Sequence, residues 1–228
     1  MKHITAIIAT RAKDMEEFSE RPIFKSLQKQ HDVHDLYTPV TFKYKIIFDN
    51  QLGLSKVYNT CLQDPAYKNH ILLFLHDDVV LEDIFLAEKV INSPYSVTGL
   101  AGTRSADLKK APAWYIMSEK ADWVGEVAHT KDNKTWTTCF GETDSRALLL
   151  DGLFLAVDVN VVNKAGVAFD EDFDFHHYDI TFCLDCNKKK IKVGVQPIRV
   201  VHCSLGRSVN TPEWRTSAIK FSKKYSNG

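Results

Sequence analysis

No run of this chain approaches the ~20 consecutive apolar residues that a helix needs to cross a bilayer, so none of its 228 residues reads as part of a transmembrane segment. Net charge is also lacking, because 29 Lys and Arg balance 29 Asp and Glu. Without a global basic field there is no general attraction for nucleic acid, which ranks last among the partners considered. The five cysteines (Cys61, Cys139, Cys183, Cys186, Cys203) are odd in number and scattered, unlike a secreted disulfide framework. Cys183 and Cys186 form a C-x-x-C, but no second pair completes a zinc site. Both fall with Phe182 on the side of a helix expected to be buried, which makes them core residues. Met1-Lys2-His3 before an apolar stretch has the outline of a secretion signal. Arg11, Lys13 and Asp14 follow at once without a small-residue cleavage site, so the stretch reads as a first strand and the location as cytoplasmic. Repeats and low-complexity linkers are absent as well, leaving one domain as the simplest organisation.

What is present is alternation. Strand signals over 4–10, 43–48, 71–75 and 95–100 are separated by helical spacing over 14–30 (interrupted at Pro22), 54–62 and 81–91. This order predicts a parallel sheet with right-handed crossovers. From 103 to 145 the chain is polar and dotted with aromatics (Trp114, Tyr115, Trp123, Trp136), which reads as loops and hairpins outside the core. Regular signals return with an apolar strand over 147–157 interrupted by Asp151-Gly152, and a short helix over 160–165 closed by Gly166. A helix over 178–189, a closing strand over 191–201 and an outer helix over 211–225 complete the chain.

Four segments at predicted strand ends carry chemistry. The continuous run Ile71-Leu72-Leu73-Phe74-Leu75 has the pattern of a strand buried on both faces, and it delivers His76-Asp77-Asp78 to the carboxyl edge of the sheet, where open α/β sheets bind ligands. Carboxylates beside such a crevice suit Mg²⁺ or Mn²⁺, ions that commonly travel with phosphates. The same residues also read as the cap of the helix expected near Leu81; the tripeptide alone leaves both open. Asp49-Asn50-Gln51-Leu52-Gly53-Leu54-Ser55-Lys56 has the polar groups to hold a base, ribose or phosphate. The stretch from Phe169 to Asp179 gathers five acids and two histidines among aromatics. His202-Cys203-Ser204-Leu205-Gly206 ends a core strand, which brings His202 to the edge that holds Asp78 if the two strands run the same way.

Taken together these segments resemble the family 2 type of nucleotide-sugar glycosyltransferase, with the GT-A fold. The resemblance spans nearly the whole chain. Asn50-x-x-Gly53-Leu54-Ser55-x-x-Tyr58-Asn59 is similar to the family's helix start, Leu75-His76-Asp77-Asp78-Val79 stands in place of its Asp-x-Asp metal motif, and Asp151-Gly152-Leu153-Phe154-Leu155 with Gly166-Val167-Ala168-Phe169-Asp170-Glu171 resembles its acceptor region. Departures are visible too: His76 replaces the first aspartate of the metal motif, Tyr178 a glutamate, Thr181 an acid and Leu184 an arginine. The pattern looks closest to a short, divergent bacterial branch.

The resemblance implies an α/β fold with a mostly parallel, Rossmann-like central sheet flanked by helices. It implies a nucleotide-binding half (1–102), the excursion (103–146), an acceptor half (147–206) and a C-terminal helix (207–228). It also implies metal-dependent transfer, with inversion, from a nucleoside diphosphate sugar (UDP-linked being the commonest choice) to a saccharide or lipid-linked acceptor, in the cytoplasm or peripherally at the inner membrane face. Asp179 is the expected general base. Asp78, His202 and His76 would hold Mn²⁺ or Mg²⁺, and Thr10, Arg11, Asp49, Asn50, Lys56 and Asp77 would contact the nucleotide. Asp151, Gly152, Trp114, Asp170 and Glu171 would contact the acceptor. Two rivals stand beside this reading. A sugar nucleotidyltransferase would favour a Gly-rich basic loop after the first strand, and Thr10-Arg11-Ala12-Lys13 has the charge but no glycine. A non-catalytic nucleotide-sugar-binding module draws on the altered residues around Asp179.

Overall fold

The computed structural model describes residues 3–37, 40–132, 134–204 and 209–225. Leu205 and Gly206 of the fourth segment, and Asn133, lie outside the described residues. Three parallel strands, β1 (His3–Ala9), β2 (Thr41–Ile47) and β3 (His70–Leu75), lie side by side with β1 in the middle. Ile71 through Leu75 are all buried, as a strand covered on both faces requires. Helices α1 (Met15–Ser19) and α2 (Ile23–Tyr37) join β1 to β2, and α3 (Leu54–Gln63) leads towards β3. The break between α1 and α2 falls at Pro22, which has no N–H to continue the helical ladder.

After β3 the chain runs β4 (Val79–Leu81), α4 (Leu86–Ile91), β5 (Val97–Gly99), β6 (Ala101–Thr103), β7 (Trp123–Lys131) and β8 (Lys134–Cys139). It continues through β9 (Ser145–Arg146), β10 (Leu149–Leu150), β11 (Phe154–Asp158), α5 (Val159–Lys164), α6 (Tyr178–Lys188), β12 (Val193–Val195), β13 (Val200–His202) and α7 (Pro212–Tyr225). One sheet has the order β2-β1-β3-β11-β5-β12-β9, and a second has β10-β6-β7-β13-β4 with β8 against β7.

Five expectations are corrected in detail. The central sheet is mixed, because β11 enters antiparallel between β3 and β5. The segment 95–100 does not end in the first sheet; it passes through Leu100 into β6 of the second. The segment 191–201 likewise splits into β12 and β13, one in each sheet. The segment 81–91 opens as strand, and α4 starts only after a turn in which Asp83 Oδ1 accepts from the Phe85 N–H at 3.0 Å. Asp77 and Asp78 therefore cap no helix. Finally, the excursion over 103–145 belongs to the core: β7 sits at the middle of the second sheet, and Trp114, Met117, Val124 and Val127 are buried.

What positions α6 is a strap across α3. Asn59 donates to the Phe169 carbonyl and accepts from the Phe169 N–H, both at 2.8 Å, and Ser55 Oγ donates to the Phe173 carbonyl at 2.6 Å. Leu54 N donates to the Asp174 carbonyl, and a Cβ on Gly53 would strike the backbone of Asp174. Glycine is needed there for the close approach. Phe169 then stacks on Phe182 of α6 with ring centroids 4.0 Å apart. Asn59→Ala leaves the N–H and the carbonyl of buried Phe169 without these partners. We expect a loss of about 2–4 kcal/mol, read as a lower urea midpoint at unchanged slope; an unmoved midpoint would refute the strap.

Candidate active site

The turn after β3 carries three side chains in three environments. His76 N donates to the Leu153 carbonyl at 3.2 Å, tying the turn to the start of β11. Asp77 points to the end of β1 and the turn before α2: Thr10 Oγ1 donates to its Oδ2 at 2.6 Å, and Arg21 Nε lies 3.5 Å from the same oxygen. Asp78 faces the other way, towards β13. Strand β13 pairs antiparallel with β4 so that His202 lies opposite Val79, and Cys203 N donates to the Asp78 carbonyl at 2.8 Å. His202 thus reaches Asp78 because the end of one strand meets the beginning of the other. The parallel alignment considered from sequence is not how they meet.

His202 Nε2 stands 3.3 Å from Asp78 Oδ2 and 3.0 Å from Ser204 Oγ, while His76 Nδ1 stands 4.0 Å from Asp78 Oδ1. Burial opposes the Asp78 charge, but the hydrogen bond and charge of His202, with His76 and Ser204, outweigh it and bring its pKa down to about 2. Burial pulls His202 down, yet Asp78 more than compensates and its pKa is raised. His76 is lowered, chiefly by burial.

The tautomer of His76 follows from its neighbours. The Tyr178 hydroxyl donates to the Gly152 carbonyl at 2.8 Å and lies 3.1 Å from His76 Nε2. With that proton committed, the ring nitrogen must be the donor, so in the neutral ring Nδ1 carries a lone pair towards Asp78. Asp78 Oδ1 is itself buried and takes no hydrogen bond from the described residues. Two electron-rich atoms are thereby held facing each other, an arrangement that a cation satisfies. One ligand atom each from His76, Asp78 and His202 lies within 4.8 Å of the others, the one such group found among the described residues. The donor set fits a divalent metal.

These three residues line a cavity of about 360 Å³ together with Asp151, Gly152, Tyr178 and Asp179. Asp179 sits in the first turn of α6, half-buried, with Oδ1 accepting from the Ile180 N–H at 2.9 Å. Burial, then the charge of Asp151, raises its pKa to about 7, against the pull of backbone N–H groups at Ile180 and Gly152. Asp151 is fixed by Trp114 Nε1 and the Leu153 N–H, each 3.1 Å away. Gly152 has no room for a side chain, since a Cβ there would strike the Tyr178 ring and Asp179. Trp114 is a packing anchor, edge-on to Phe140 at 5.1 Å and Trp123 at 5.7 Å, and it also lines a second, more apolar cavity of about 500 Å³ adjoining the first.

The remaining expected residues divide. Thr10, Arg11, Asp49 and Asn50 gather beyond the carboxyl ends of β1 and β2: Asn50 N donates to the Thr10 carbonyl at 2.9 Å, and Gln51 bridges Arg11 and Asp49. Lys56 is exposed on α3 and lines none of these cavities. Asp170 and Glu171 are not brought to the cavity. Asp170 accepts from Lys224 and Tyr225 of α7, and Glu171 from Asn59 of α3, because the strap turns them towards those two helices. Sequence reasoning missed Phe175, in the loop before α6, and Trp214, on α7, as cavity walls; an aromatic side chain in a loop or on an outer helix gives no sign of which cavity it closes.

No curated protein sequence matches the chain. Among solved structures, GalNAc-T7 with UDP, GalNAc and Mn²⁺ aligns with a TM-score of 0.51 at 10% identity, over 96% of this chain and 48% of that one. A Drosophila β-1,4-galactosyltransferase 7 variant with manganese, UDP-Gal and xylobiose gives 0.47 at 10% identity, over 86% and 64%. The inositol-1-phosphate CTP transferase of T. maritima gives 0.41 at 10%, over 96% of each chain. At such identities the likeness concerns the fold alone, and that fold is GT-A. A sequence profile covers residues 25–225, almost the whole chain, and by that match the protein belongs to the family described as "Glycosyltransferase like family".

Proposed function

We propose that the chain is a metal-dependent, inverting glycosyltransferase that moves a sugar from a nucleoside diphosphate sugar, UDP-linked, to a hydroxyl of a saccharide or lipid-linked acceptor. The observation that carries this is one cavity lined both by His76, Asp78 and His202 and by a carboxylate, Asp179, whose pKa is raised to about 7. Two imidazoles and a carboxylate suit Mn²⁺ better than Mg²⁺. His76, Asp78 and His202 would hold the ion, which when bound would offset the charge of the departing diphosphate.

The chain's own residues do the rest. Asp179 takes the proton of the attacking hydroxyl, and its raised pKa makes it a stronger base than an ordinary carboxylate. Asp151, locked by Trp114, raises that pKa and offers its free lone pairs to acceptor hydroxyls. Thr10, Arg11, Asp49 and Asn50 contact the nucleotide, with Asp77 oriented by Thr10 and Arg21. Residues 1–102 serve the donor and 147–206 the acceptor, and the protein works in the cytoplasm or at the inner membrane face. No helix among the described residues is long and apolar enough to cross a membrane.

The test is thermal melting with UDP, in the presence and absence of Mn²⁺. At about 100 times Kd a ligand adds about 2.7 kcal/mol, a rise of roughly 5–10 °C for a chain of this size. That rise should require Mn²⁺ and UDP together. Equal melting with and without the ion removes the metal, and hydrolysis of the sugar donor without acceptor separates an enzyme from a binding module.

A further inference from the structure

His177 plays no part in the chemistry above, yet it lines the same cavity of about 360 Å³ from the start of α6. It is 5% exposed, and its ring lies 5.2 Å from that of Trp214 on α7. Ser217 Oγ donates to the His176 carbonyl at 3.0 Å and lies 2.7 Å from His177 Nδ1. A hydroxyl has one proton. With it committed to the carbonyl, Ser217 accepts from the ring, so Nδ1 carries the hydrogen. Burial, followed by His176, lowers the pKa of His177 to about 4, and the ring is neutral at ordinary pH.

Nε2 is then a lone-pair acceptor, and among the described residues nothing donates to it although the atom is buried. A buried acceptor without a partner is costly, so a ligand that supplies a donor gains what the free protein lacks. The backbone adds a second sign of a constrained role: His177 has φ 67°, the left-handed region that non-glycine residues seldom occupy.

We propose that His177 is a specificity-determining residue of the acceptor side: its Nε2 accepts a hydrogen bond from a neutral hydroxyl or N–H of the ligand. It thereby favours neutral polyhydroxylated acceptors over ones that place a carboxylate or phosphate at that point. The assignment to the acceptor rests on the transferase reading; the hydrogen-bonding polarity does not.

The experiment uses the full chain with ¹⁵N-labelled imidazoles and, as probes, a panel of neutral methyl glycosides with methyl glucuronide for comparison. Neutral glycosides should shift the Nε2 resonance of His177 in the direction of an accepted hydrogen bond, and the glucuronide should bind more weakly. His177→Asn suits the left-handed backbone and keeps an N–H for Ser217, but it lacks Nε2. We expect it to bind the neutral glycosides about tenfold more weakly, the size of one lost neutral hydrogen bond, and His177→Gln, which reaches further, to recover most of that loss. UDP with Mn²⁺ should bind wild type and His177→Asn alike, which shows that the variant is folded. Equal glycoside affinity in wild type and His177→Asn, or a His177 signal that no neutral glycoside moves, overturns the proposal. Failure of wild type to bind UDP counts against the transferase reading instead, and the glycoside result still judges His177.

Discussion

Asp179→Asn is expected to lower sugar transfer by about 10²–10⁴-fold while Mn²⁺-dependent binding of UDP stays near normal. The amide keeps the size of the side chain and its contact with the Ile180 N–H, but it cannot take the proton of an incoming hydroxyl. The pH profile carries the same signature. Because Asp179 must be ionised to act and its pKa is raised to about 7, wild-type kcat/KM should climb through pH 7 and level off above it. Stability runs the opposite way. A carboxyl whose folded pKa lies above its unfolded value, here about 7 against about 4, stabilises the fold fully below the lower value, and that contribution is lost as pH rises towards 7. Asn stays neutral throughout, so at pH 8 the variant should be more stable than wild type by on the order of 1–3 kcal/mol, and at pH 4 equally stable. Wild-type turnover by Asp179→Asn would remove the residue from the role.

Asp78→Ala is expected to abolish the effect of Mn²⁺ on UDP binding, weakening Mn²⁺ affinity by more than about 100-fold, since even groups that only support a metal ligand are worth 10–100-fold. The change removes the central oxygen donor and leaves His76 and His202 without the carboxylate between them. The backbone contact from Cys203 N to the Asp78 carbonyl does not involve the side chain, so the strand pairing should persist. Asp77→Ala is the control: it breaks contacts with Thr10 and Arg21 and leaves the three ligand atoms in place. Mn²⁺ affinity unchanged in Asp78→Ala, measured by paramagnetic resonance of the free ion, would discredit the site.

Much of this was legible from local pattern. The buried run ahead of His76, the break at Pro22, the glycine after α5 and the helix carrying Asp179 all express short-range rules of periodicity and backbone freedom. The errors share a different cause. Short apolar segments such as 95–100 and 191–201 look continuous in one dimension, but the chain bends from one sheet into another within a few residues. The acids Asp170 and Glu171 resemble ligand-binding groups, and only the strap on Asn59 shows that they face α3 and α7.

By itself the sequence determined which residues had the means for chemistry: a histidine and two aspartates after a doubly buried strand, an aspartate at a helix start, a histidine closing another strand. The tertiary structure decided which of them meet. Antiparallel pairing of β13 with β4 sets His202 beside Asp78, the Tyr178 hydroxyl turns the His76 lone pair towards the same carboxylate, and the Ser217 hydroxyl does the converse work for His177. Strand pairing and proton placement depend on partners tens of residues away, which is why composition and spacing name the groups while the fold assigns their roles.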